Sequence, residues 1–144
     1  MNYLMNEASF DLPDLDGLVD RSRQFLEVKL EDGTTIDLVI ARAPLPAGED
    51  LGAAVEAGLA DQRRSLRGFT VISAKEREYP ELVGIEVRVR FIDKKEGPIF
   101  HHEFHTVVGA QRIGFHAICA VASADACDAW MERLLEGVKL RDDE

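Results

Sequence analysis

The segment His101-His102-Glu103-Phe104-His105 gathers three of the chain's four histidines around one carboxylate. Imidazole and carboxylate together suit a metal site or an acid–base pair. The spacing is not that of H-E-x-x-H, because a single residue separates Glu103 from His105. The segment reads instead as a strand, with His101, Glu103 and His105 on one face and Phe100, Phe104, Thr106 and Val108 on the other. Each step of two rises about 6.6–6.8 Å, which sets His101 and His105 about 13 Å apart. Ligand bonds near 2 Å cannot bridge that gap from one ion. A site would need ligands from a neighbouring strand, and His116 is the one other His. The expectation is no metal, and a polar sheet face that meets solvent or a partner.

The chain holds neither G-x-x-x-x-G-K-[ST] nor G-x-G-x-x-G, the loops that cradle phosphate. It has no G-x-S-x-G elbow, and no Ser or Cys has a legible base partner. Cys119 and Cys127 stand eight apart among apolar residues and read as buried reduced thiols, not as a zinc framework. No catalytic residue and no cofactor is expected, so the protein reads as a non-enzyme.

With Lys plus Arg at 17 and Asp plus Glu at 27, the net charge is −10. A phosphate backbone demands a basic stripe, so nucleic acid and anionic membrane surfaces are poor partners. The longest apolar run, Ala117–Ala122, has six residues and cannot span a bilayer. Residues 1–12 lack a basic segment followed by an apolar one, and no Cys near the start offers a lipid anchor. The expected compartment is the cytoplasm, without direct membrane insertion.

The elements that must place these residues follow from pattern and punctuation. At 144 residues, 46% of them hydrophobic, the chain is expected to be one domain spanning 1–144. Asp32-Gly33 between two strand-like runs predicts a hairpin with a two-residue turn, pairing Leu26 with Val39 and Gln24 with Ala41. One ribbon face then carries Ser22, Gln24, Leu26, Val28, Val39 and Ala41; the other carries Arg23, Phe25, Glu27, Leu38, Ile40 and Arg42. A helix follows Gly48, with Leu51, Ala54, Val55, Leu59 and Leu66 on one stripe and Gly68 as its stop. Four strands come next, over about 69–78, 82–92, 99–108 and 112–121, joined by short turns. Cys127, Trp130, Met131, Leu134 and Leu135 then mark a helix opened by Ser123 and ended by Gly137, before a short extended tail at Val138–Leu140. The order β-β-β-α-β-β-β-β-α-β predicts an α+β domain: an antiparallel meander of hairpins with flanking helices.

Several phrases recur in a familiar order: Asn6-Glu-Ala-Ser-Phe-Asp-Leu-Pro13, Val19-Asp-Arg-Ser22, Leu38-Val-Ile-Ala-Arg42, Leu45-Pro-Ala-Gly-Glu49 and Leu66-Arg-Gly-Phe69. With the meander and the Trp helix behind them, the chain resembles the DcrB-related family with its PsbP-like α/β sandwich. Within it, the chain looks most like the Eag chaperones of bacterial type VI secretion effectors. The His-rich strand departs from the glutamine and neutral polar residues expected there.

The resemblance implies a homodimeric cytoplasmic chaperone whose concave sheet face holds the N-terminal apolar helices of a cognate effector with a PAAR, Rhs or VgrG-type domain. Ser22, Gln24, Leu26, Val39 and Ala41 suit such a groove, because small side chains admit a helix and an amide bonds without burying charge. His101, Glu103 and His105 are expected to line the same groove. Two other readings stand beside it: a metal- or small-ligand-binding protein using the His101–His105 strand, and a generic DcrB-type envelope assembly module.

Overall fold

The computed structural model describes residues 23–45 and 48–140, with the backbone of 2–4 and 9–11. The elements run β1 (Asn2–Leu4), β2 (Ser9–Asp11), β3 (Arg23–Lys29), β4 (Thr35–Pro44), α1 (Leu51–Ser65), β5 (Thr70–Glu78), β6 (Val83–Asp93), β7 (Gly97–Val108), β8 (Gln111–Ala120) and α2 (Ala124–Glu136). Strands β1 and β2 pair only with each other, while the other six form one antiparallel sheet in the order β3-β4-β8-β7-β6-β5. The α+β class and the meander β5-β6-β7-β8 are as the alternating patterns predict. Residues 138–140 are not a strand: Val138 packs on the core, Lys139 and Leu140 are exposed, and the chain leaves the helix without meeting a sheet edge.

Local chemistry sets both helices. The Asp50 side chain accepts the Gly52 N–H at 3.2 Å and caps α1, and Gly68 takes φ +65° where the chain turns back into β5. Cys127, Met131 and Leu135 recur every fourth residue of α2 and are wholly buried. They close the larger core over Ile36, Leu38, Phe100, Phe104, Phe115 and Ala117. On the opposite sheet face, Val55 and Leu59 of α1 close a smaller core over Val87 and Val89, with Phe69, Val71 and Ile85 packed around it. Strand β7 gives Phe100 and Phe104 to the larger core and turns His101, Glu103 and His105 to the α1 side.

The expected hairpin register fails, and a single residue is the cause. The β3–β4 loop has three residues, not two: the Leu30 N–H donates to the Thr34 carbonyl at 2.8 Å, and Gly33 turns the chain at φ +90°. Asp32 accepts the Thr34 N–H at 2.9 Å, holding the longer loop. Leu26 consequently faces Leu38, Gln24 faces Ile40, and Phe25 faces Val39. Shifting register by one residue moves every side chain to the other face. The ribbon face carrying Gln24, Leu26, Val39 and Ala41 together does not exist. Gln24 and Leu26 lie on the α2 side with Leu38; Val39 and Ala41 lie on the α1 side. Ser22 falls outside the described residues.

Polar residues on the α2 side form an ionic bridge between sheet and helix. Asp128 receives Arg88 Nη2 at 2.8 Å and His102 Nδ1 at 2.7 Å; Glu132 receives Arg77 Nη2 at 2.8 Å and the Tyr79 hydroxyl at 3.0 Å. Burial raises both carboxyls, but the bonds from His102 and Arg88, and from Arg77 and Tyr79, outweigh it and hold them below their ordinary values. A carboxyl depressed on folding stabilises above its unfolded pKa, and that contribution is lost as pH falls through the folded value. The urea midpoint should hold steady from neutral pH to about 5 and drop below about 4, near the unfolded carboxyl range. Asp128→Ala should cost about 2 kcal/mol and flatten that drop. This is less than a fully buried pair, because water still reaches the bridge, yet it strands His102 at 2% exposure.

Candidate functional site

The α1 face of the sheet is half covered. Helix α1 lies closest to β7 and packs Val55 and Leu59 on Val87 and Val89 of β6, and it leaves most of β3, β4 and β8 without a described element over them. Phe25 is 72% exposed there, and Val39, Ala41 and Ile118 are half-buried beside it. Between the helix and the bare strands lies a cavity of about 290 Å³, with Ala41, Leu59, Gln62, Glu103, His105 and His116 among its lining. Three strands span two intervals of about 4.8 Å, so the bare strip is about 10 Å wide. That is the diameter of an α-helix with its side chains.

Glu103 sits at the centre of this face, 3% exposed and surrounded by imidazoles. Its Oε1 lies 2.9 Å from His105 Nε2 and 3.6 Å from His116 Nδ1, and its Oε2 lies 3.5 Å from His101 Nδ1 without hydrogen-bond alignment. His116 arrives from β8 directly opposite Glu103, because the two-residue turn Gly109-Ala110 pairs Val108 with Gln111 and fixes the whole ladder. Arg112 Nη2 approaches His105 Nδ1 at 3.4 Å. A guanidinium only donates, so Nδ1 accepts and Nε2–H donates to Glu103, which makes His105 the neutral Nε2–H tautomer. Burial pushes the His105 pKa down against the pull of Glu103, consistent with that state. Burial raises the Glu103 pKa, but the imidazoles of His101, His105 and His116 around it together bring it well below the carboxylate range.

Of the residues expected to share a groove, Val39, Ala41, His101, Glu103 and His105 do share this face. Gln24 and Leu26 do not. His101 stacks edge-on to Phe91 at 5.0 Å, away from the cavity. The polar face expected to meet solvent or a partner is instead buried at Glu103 and His105. The separation argument for His101 and His105 holds, but Glu103, His105 and His116 each bring one ligand atom within 4.8 Å of the others, close enough to share an ion. Sequence reasoning missed Gln62, whose buried Oε1 has no hydrogen-bond partner. Its signal was its place seven residues after Val55 and three after Leu59, a polar residue on the apolar stripe of α1.

The DcrB family model matches residues 7–134, nearly the whole chain. The chain belongs to the DcrB family. Among solved structures, this DcrB-family chain is similar to a protein of unknown function from Pseudomonas aeruginosa, suggested there to be a regulator. The TM-score is 0.81 at 12% identity, covering 99% of this chain and 98% of that one. It is also similar to the cyanobacterial PsbP (CyanoP) of Synechocystis, with a TM-score of 0.53 at 13% identity over 84% of this chain and 94% of that one. At such identities the likeness is one of fold, and the fold is PsbP-like. No curated protein matches the DcrB-family sequence. Among the described residues no helix is long and apolar enough to cross a membrane.

Proposed function

We propose that this DcrB-family protein is a non-enzymatic cytoplasmic chaperone that shields the N-terminal apolar helices of a type VI secretion effector before export. The observation that carries the reading is the helix-wide strip of β3, β4 and β8 that α1 leaves bare, with Phe25, Val39, Ala41 and Ile118 on it. An effector that will cross a membrane carries apolar helices that aggregate in water, each buried CH₂ being worth about 0.8 kcal/mol. A docked helix would cover that strip and find small residues at Ala41 and Gly114, where two backbones approach closely. The Gln62 amide at the helix-side wall supplies what Gln24 was expected to supply: an uncharged polar group for a client Ser, Thr or backbone carbonyl. A second copy of the chain would set two such strips side by side, enough for more than one client helix.

Co-expression with the effector encoded beside it tests the reading. The effector's N-terminal region should stay soluble and co-purify, and light scattering of the free chaperone should give twice the 16.0 kDa chain mass. Equal recovery of an effector stripped of its apolar helices would show that the client is something else. Recovery with envelope assembly factors and no effector would favour the envelope module.

A further inference from the structure

We propose that Glu103, His105 and His116 form a binding site for one divalent transition ion, zinc by preference, at the floor of the cavity beneath α1. The inference does not depend on the chaperone reading, since it concerns the chain alone. Ligand atoms around a tetrahedral ion held by bonds of about 2.0–2.2 Å stand roughly 3.3–3.6 Å apart. His105 Nε2 and His116 Nδ1 already lie 2.9 and 3.6 Å from one Glu103 oxygen, so small movements close the shell. Two imidazoles and a carboxylate suit zinc, cobalt or nickel, while calcium and magnesium prefer oxygen alone. All three groups line the cavity, so a water molecule there can take the fourth position.

Two further observations point to a ligand. The second carboxylate oxygen, Glu103 Oε2, is buried without a hydrogen-bond partner, in a residue 3% exposed. A buried acceptor with no aligned donor is costly, and a cation held by the same carboxylate offsets part of that cost. Gly114 lies directly opposite His105, and a Cβ there would stand 2.8 Å from His116 Nε2 and 3.4 Å from His105 Nδ1. The position leaves both rings the space they occupy.

Metal binding would change His105. Coordination through Nε2 moves its proton to Nδ1, which then faces Arg112, a group that accepts no hydrogen bond. Arg112 must swing away, so it opposes the metal, and a glutamine there would accept the Nδ1–H and favour it. Untagged protein stripped with a chelator and titrated with Zn²⁺ by calorimetry should take up one ion per chain. His105→Ala and His116→Ala should each weaken uptake at least 100-fold, and Arg112→Gln should tighten it about tenfold. His116 is one-quarter exposed, so His116→Ala serves where His105→Ala fails to fold. Co²⁺ in place of Zn²⁺ should show the intense visible absorption of a four-coordinate site, lost in His116→Ala. No saturable uptake up to about 100 μM Zn²⁺, or uptake that a folded His116→Ala protein retains, overturns the site.

Discussion

Val39→Asp and Val39→Lys should each weaken binding of the effector's apolar helices by at least about 100-fold, while Gln24→Arg leaves it unchanged. Val39 stands half-buried in the middle of the bare strip, opposite Phe25 on one side and His116 on the other. Either charge there is taken from water when a helix docks, which costs several kcal/mol unless a partner meets it. Each 1.4 kcal/mol is a factor of ten in affinity, so about 3 kcal/mol already exceeds 100-fold. Testing both signs separates loss of solvation from a contact of particular charge. Gln24 is the discriminating control. The two-residue turn places it in the groove beside Val39, whereas the observed register turns it to the α2 side. Pull-down of the effector's helical region by folded variants, compared at equal concentration, reads the result. Binding that survives both Val39 substitutions moves the groove elsewhere; binding lost on Gln24→Arg moves it to the other face.

Gly84→Ala should cost about 3 kcal/mol or more, enough to leave little folded protein at 37 °C. A Cβ at Gly84 would lie 2.0 Å from the His105 carbonyl oxygen and 2.9 Å from Phe104 Cζ. Real Cβ atoms do not approach a carbonyl so closely, and the carbonyl belongs to β7, an interior strand laddered to β6 and β8. The ladder between β6 and β7 must open to relieve the clash, so this exceeds ordinary overpacking of about 1–3 kcal/mol. Gly58→Ala is the same chemical change with the opposite expected sign. Its Cβ meets nothing within 4 Å inside α1, and replacing helical Gly by Ala gains about 0.5–1 kcal/mol. Urea midpoints of the two variants against the parent chain check both. If Gly84→Ala matches the parent, the close packing of β6 on β7 at this position is wrong.

How much of this was legible in the sequence depended on where long-range pairing entered. The alternation of Val87 and Val89 with Glu86 and Arg88, and the recurrence of Cys127, Met131 and Leu135, needed no partner to read, because period alone sets the face. The two sides of β7 were legible for the same reason. What failed was parity across a turn. Asp32-Gly33 suits a two-residue turn, but the Asp32 carboxylate bonds the Thr34 N–H and holds a three-residue loop, and local propensity does not choose between them. Gln24 and Leu26, two of the seven described residues of the expected groove, moved to the other face on that one residue. The opposite case is His116, whose place beside Glu103 follows as soon as Gly109-Ala110 is read as a two-residue turn. The ionic bridge was hidden for a further reason. Asp128 and Glu132 are four apart on α2 and look like a solvated pair until Arg88, His102 and Arg77 are seen beneath them.

Strand β3 holds the edge of the sheet, and six of its seven residues are exposed. Hydrogen exchange would therefore divide this molecule unevenly. Amides of β7, laddered on both sides and packed on both faces, exchange only when the whole domain opens. Those of β3 are held by β4 alone and lie at the low end of local stability. This outer strand of the strip is thus the part that can peel back while the rest stays folded. A segment docking beside it can displace that edge, and the domain keeps its two cores while it does.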